Sequence, residues 1–152
     1  MSENVETSGQ ASGQAGASWA DSTEQRVLDE ALRLAPSAGW NAGLVTRALS
    51  AVGLSEPEGQ LLLPEGPRDL AALLSRRHDA AALQRLRALD LAALKIRQRI
   101  REGVIARLDA AQENGDVLRP LAVFLAFPTN LPLAARLTWE SADAIWRWAG
   151  DT

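Results

Sequence analysis

Trp40-Asn-Ala-Gly-Leu-Val-Thr-Arg-Ala-Leu-Ser-Ala-Val-Gly-Leu54, followed by Ser55-Glu-Pro-Glu-Gly-Gln-Leu-Leu-Leu63, is the stretch on which the fold turns. Trp40, Leu44, Val45, Ala48, Leu49 and Val52 recur at the spacing of one helical face, and Gly53 is placed as a C-terminal stop. Upstream, Gln25-Arg-Val-Leu-Asp-Glu-Ala-Leu-Arg-Leu-Ala35 gives Val27, Leu28, Ala31, Leu32 and Ala35 the same spacing, with Asp21 and Ser22 as candidate caps. Helix, turn, helix and a short third segment make the layout of a helix-turn-helix. In a DNA reader the third segment enters the major groove, where Arg, Lys, Asn or Gln meet phosphates and base edges. Here it offers Glu56, Glu58 and Gln60, with no Lys or Arg from Ser55 to Gly66. Phosphates repel such a surface, so no nucleic-acid partner is expected.

The pattern stays helical to the end of the chain. Pro64, Gly66 and Pro67 make a break, and Arg68 to Leu74 restarts a helix. The longest helix is expected from Ala80 to Ala111, with Ile96, Ile100, Val104 and Leu108 at intervals of four as its apolar stripe and Asn114-Gly115 as its stop. A shorter apolar helix follows from Val117 to Phe127. Pro128-Thr-Asn-Leu-Pro132 breaks it, and Pro132 suits the first turn of a last helix, Leu133 to Ala149, that stops at Gly150. No window sustains the alternation of a strand, so the fold class is all-α. Met1 to Asp21, rich in Ser, Gly, Gln and Ala, is expected to be a disordered tail, with Trp19 as its one large apolar anchor. Residues 22–152 form one domain, in which 22–75 is the helix-turn-helix-like part and 76–152 supplies core helices.

Composition removes several chemistries. There is no Cys, so disulfides, thiolate metal sites and cysteine catalysis are excluded. One histidine, His78, excludes a multi-histidine metal site within a single chain. No phosphate-binding glycine loop, zinc pair or serine elbow is present, and no enzyme and no cofactor are expected. His78 lies in Arg-Arg-His-Asp, on an expected exposed face, where a structural role outweighs a catalytic one. Glu140 and Asp143 share the spacing of a metal or proton pair, but Asp143 also has Arg147 four residues on, and an intrahelical ion pair is the preferred reading.

Net charge is −3 and unevenly spread. From Arg76 to Arg107 nine basic residues face three acids, a local excess of six positive charges. Such a face suits phospholipid headgroups or an acidic partner, although a plainly solvated helix face has the same pattern.

The aromatic residues are the second signal. Tyrosine is absent, and three of the five tryptophans, Trp139, Trp146 and Trp148, crowd the last helix. Trp139 and Trp146 are seven apart and share a face, whereas Trp148 is turned about 200° from Trp146. A helix apolar on two sides is central in a core, lines a cavity or meets a partner. With Leu118, Leu121, Phe124 and Leu125 before it, and Leu137 and Ile145 along it, this helix is expected to line a slot for a long apolar ligand, an ordinary core being the equal alternative.

Three segments carry a family resemblance: Leu94-Lys-Ile-Arg-Gln-Arg-Ile100, Ala126-Phe-Pro-Thr-Asn-Leu-Pro-Leu133 and Asp143-Ala-Ile-Trp-Arg-Trp-Ala-Gly-Asp-Thr152. Together they resemble the ubiquinone-biosynthesis accessory family often called Coq-nine, and the Gly39-Trp40 helix-turn-helix layout is similar to it too. The resemblance implies a tetracycline-repressor-like helical bundle that has lost DNA binding. It implies a non-enzymatic lipid-binding protein that holds isoprenoid quinone intermediates and presents them, at a membrane, to a di-iron hydroxylase of the pathway. With an Ala/Arg/Leu-rich composition and no transit-type leader, it implies a bacterial cytoplasmic protein in peripheral membrane contact. Family members continue past the Ala-Gly-Asp motif with further helices, whereas this chain ends at Thr152. The last helix is therefore expected to present an uncovered indole face and to pair as a homodimer. The competing reading is a tetracycline-repressor-type regulator whose cavity holds an inducer.

Overall fold

A computed structural model describes residues 6–150 of the chain. Among these residues there are seven α-helices: α1 Glu6–Ala38, α2 Ala42–Ala51, α3 Glu56–Leu62, α4 Pro67–Leu86, α5 Ile96–Gln112, α6 Gly115–Leu125 and α7 Leu131–Trp148. Single 3₁₀ turns at Leu91–Ala93 and Pro128–Asn130 join α4 to α5 and α6 to α7. Among the described residues there is no strand, so the all-α reading holds.

The helix-turn-helix-like unit is built by local chemistry. Asn41 caps α2 by accepting from the Leu44 N–H at 3.0 Å. Gly53 ends it in the left-handed region at φ +81°, which an L side chain adopts only at a cost. Ser55 and Glu58 then start α3 with a reciprocal capping box. Trp40 is buried and donates its indole N–H to the Pro67 carbonyl at 2.9 Å, tying the α1–α2 turn to the start of α4. Around it Val27, Leu28, Leu44, Leu70, Leu74 and Val117 are fully buried in one core shared by α1, α2, α4 and α6.

The expectations are corrected in two regions of the chain. The helix expected over Ala80 to Ala111 is two helices: α4 runs on from Pro67 to Leu86, and α5 starts at Ile96. Asp90 turns the chain between them, its carboxylate accepting from the Ala92 N–H at 3.0 Å. Folding back lets Ala82 and Leu86 pack on Ala106 and Ala110, which a straight helix would leave in water. The buried face of α5 is accordingly its small-residue face, Gly103, Ala106 and Ala110. The expected core stripe is turned outward: Ile96, Val104 and Leu108 are exposed and Ile100 is half-buried. The division at residue 75 also falls inside α4 rather than at a boundary.

The second correction concerns the start of the chain. Helix α1 extends back to Glu6, so Asp21 and Ser22 lie within it and cap nothing. Ser22 and Thr23 instead return their hydroxyls to the Trp19 carbonyl, at 3.0 and 2.7 Å. Gly13 to Trp19 are all exposed, and Trp19 does not serve as an anchor. Met1 to Val5 of the expected tail lie outside the described residues.

Candidate functional site

The polar chemistry of the core is gathered where α4, α5 and α7 meet. On α4, Ala71, Leu74, Ser75 and His78 fall at i, i+3, i+4 and i+7, one face of the helix. Next to them Asp79 accepts from Arg107 Nε of α5 at 2.5 Å and from Ser141 Oγ of α7 at 2.7 Å. The Arg107 Nη2 atom reaches back to Ser75 Oγ at 3.3 Å. One carboxylate and one guanidinium, both largely buried, thus bridge three helices.

His78 is buried, not exposed as its sequence context suggested. Its Nε2 lies 3.0 Å from Asn114 Oδ1, the residue that precedes α6. Burial pushes the imidazole below its ordinary value of 6.5; the hydrogen bond to Asn114 works the other way, and the Arg107 charge adds to the depression. His78 is therefore a neutral donor to Asn114 at pH 7.

Ser75, His78, Arg107 and Ser141 form one wall of a cleft of about 340 Å³ between α4, α5, α6 and α7. The other walls are Leu74, Leu108, Leu118, Leu121, Leu125 and Leu137. Of the nine residues expected to line a lipid slot, Leu118, Leu121, Leu125 and Leu137 do line this cleft. The other five are elsewhere. Phe124 faces a separate groove with Trp40, Val123 and Phe127. Ile145 is buried against Gly103 of α5. Trp148 packs inward on the cluster formed by Ala82, Leu86, Ala106 and Ala110. Trp139 and Trp146 stand on the outer face of α7, 75% and 48% exposed, with Ala142 and Asp143 in the shallow groove beside them.

The charged strip of α7 separates its two apolar faces. Arg136 and Glu140 lie 3.8 Å apart and Asp143 and Arg147 2.7 Å apart, so Asp143 takes the intrahelical pair expected for it. No group of three or more metal-ligating side chains exists among the described residues. No single described helix is long and apolar enough to cross a membrane.

Ser75, His78, Arg107, Leu108 and Ser141 were missed as site residues. The face of α4 is readable from its spacing. That it meets Arg107 and Ser141 depends on the α4–α5 reversal and on contacts spanning 28 and 62 residues. Comparison with models of known protein families and with curated proteins gives no match to this chain, so its site is read from its own residues.

Proposed function

We propose that this protein is a non-enzymatic accessory protein of ubiquinone biosynthesis that holds an isoprenoid quinone intermediate and presents it to a hydroxylase. The carrying observation is the α4–α5–α6–α7 cleft, six leucines closed on one side by Arg107, Ser75, Ser141 and His78. A quinone-type head accepts hydrogen bonds and has no charge, and a polyprenyl tail is wholly apolar. An apolar cleft whose polar wall carries the Ser75 hydroxyl and further Arg107 N–H groups suits both ends of such a molecule. The buried Asp79–Arg107 pair adds support, since a buried ion pair seldom repays its desolvation by stability alone. In this reading the indole of Trp139, on the far side of α7, is a contact for the hydroxylase or for a second copy of the chain.

Extraction of the purified protein followed by mass spectrometry tests this directly. A polyprenylated aromatic should co-purify, and Leu121→Trp, which fills the cleft, should abolish its retention while the helical circular dichroism persists. Protein free of lipid that also leaves added isoprenoid quinones unbound overturns the proposal. The α1–α3 layout favours one second reading, a tetracycline-repressor-type regulator with an inducer in the same cleft. The acidic α3 weighs against it.

A further inference from the structure

Among the described residues Arg107 is the one charged side chain that lines the α4–α5–α6–α7 cleft. Its charge is already matched. Asp79 is not part of the lining, and it takes the Arg107 Nε–H on its Oδ1 at 2.5 Å. Both side chains are largely buried, so the cleft wall presents a guanidinium neutralised from outside the cleft.

The remaining hydrogen-bonding capacity of that wall is of both kinds. Ser141 gives its proton to Asp79 Oδ1 at 2.7 Å, so its oxygen can only accept from a ligand. His78 gives its Nε2–H to Asn114 at 3.0 Å and keeps an acceptor lone pair on Nδ1. Ser75 receives the Arg107 Nη2–H at 3.3 Å, which leaves its own proton and the other guanidinium N–H groups as donors. A hydroxyl both donates and accepts, and can use either kind of group. A carboxylate only accepts, and meets lone pairs at Ser141 and His78.

We propose that the cleft admits amphiphiles with an uncharged, hydroxyl-bearing head and refuses carboxylates, and that Asp79, acting through Arg107, sets this preference. An anion that leaves water for a site walled by leucines loses its hydration, and only an unmatched cation would offset that loss. With Asp79 in place, the attraction of Arg107 for a second carboxylate is opposed by repulsion from the first. Free fatty acids match leucine walls as well as a prenyl alcohol does, so charge alone keeps them out. The inference deepens the cleft reading of the proposed function and rests on it.

Isothermal titration calorimetry with farnesol and farnesoate tests it, at about pH 8 where the acid is fully ionised. The two ligands share one chain and differ in head charge. The parent protein should bind farnesol at least about tenfold more tightly. Asp79→Asn leaves Arg107 without its counter-charge, so the order should reverse, whereas Asp79→Glu keeps the charge and should keep the parent preference. A loss of stability alone weakens both ligands alike and reverses nothing. Because Asp79→Asn is also destabilising, the preference is read a second time from melting temperatures, which a ligand raises the more tightly it binds the folded state. Farnesoate should raise that of the variant more than farnesol does. Arg107→Ala makes the opposite switch: it leaves Asp79 unmatched and should bind farnesylamine, which the parent refuses. Where Asp79→Asn does not fold with either ligand, this second variant decides, and its indifference to farnesylamine overturns the inference. Parent protein that binds farnesoate as well as farnesol, or Asp79→Asn protein that keeps the parent preference, overturns it too while leaving the cleft reading in place. Parent protein that binds neither ligand, nor added isoprenoid quinones, overturns both.

Discussion

Gly103 of α5 and Ile145 of α7 are packed so closely that a methyl group on Gly103 would overlap the Ile145 side chain. The contact sets the spacing of the two helices beside the cleft. Gly103→Ala should therefore destabilise the protein even though alanine is the better helix former. Overpacking costs about 1–3 kcal/mol, and the helix propensity gained returns up to about 1. A net loss of roughly 1–2 kcal/mol in chemical denaturation is expected. Gly103→Ala combined with Ile145→Val should recover part of it, and a stabilised single variant would show that α5 and α7 are free to move apart.

Asp79 carries a different kind of constraint. It is the shared acceptor for Arg107 and Ser141, so removing its charge strands a guanidinium that is only 20% exposed. Asp79→Asn should cost about 3 kcal/mol, in the range for breaking a buried pair by one partner. Replacing both members, Asp79→Leu with Arg107→Met, should be much milder because no charge is left alone. Equal losses in the single and double variants would mean that the pair does not stabilise by its charge.

How far these contacts were legible depends on their range. Asn41, Gly53, Ser55 and Pro132 act within one turn of themselves, and each of the helix ends they mark is readable from neighbouring residues. The break at Asp90 is not, because Arg85 to Ile96 contains no Gly or Pro and each residue there tolerates a helix. It is decided by what Ala82 and Leu86 gain on meeting α5. The stripe Ile96, Val104 and Leu108 misled for the same reason: periodicity finds an apolar face, but not whether small residues on the other face pack more closely. Trp146 and Trp148 were rightly placed on different sides of α7, yet their spacing could not say that Trp148 is the inward one.

His78 makes stability depend on pH with a known sign. Its folded value is depressed below 6.5, so the unfolded chain binds a proton that the folded protein resists. The contribution of neutral His78 is fully present above about 6.5 and is lost progressively as pH falls below that toward the depressed value. Thermal unfolding should occur at lower temperature as pH is lowered through this window. His78→Gln, which keeps a donor for Asn114, should show a flatter profile. The protein has one histidine, so a single imidazole resonance reports the titration directly. An imidazole that titrates at or above 6.5, with parent and variant profiles superimposed, would falsify the assignment.

The helix-turn-helix layout leads to a prediction about what the protein does not bind. Glu58 receives the Ser55 N–H and hydroxyl at 2.8 Å each, while its own N–H donates to Ser55 Oγ. The Ser55 backbone bond, with the hydroxyl assisting, holds the Glu58 carboxyl below its ordinary range, so the negative charge persists at any pH used for binding. Glu56 is exposed beside it, and Leu61, 86% exposed, offers nothing to a base edge. Fluorescence anisotropy with duplex DNA at about 0.05 M salt, where phosphate contacts are strongest, should show no sequence-selective binding. Weak association without sequence preference has a separate source in the cations near Arg97, and Arg97→Gln with Arg101→Gln should remove it. Sequence-selective binding that survives this double substitution would return α3 to the major groove and revive the regulator reading.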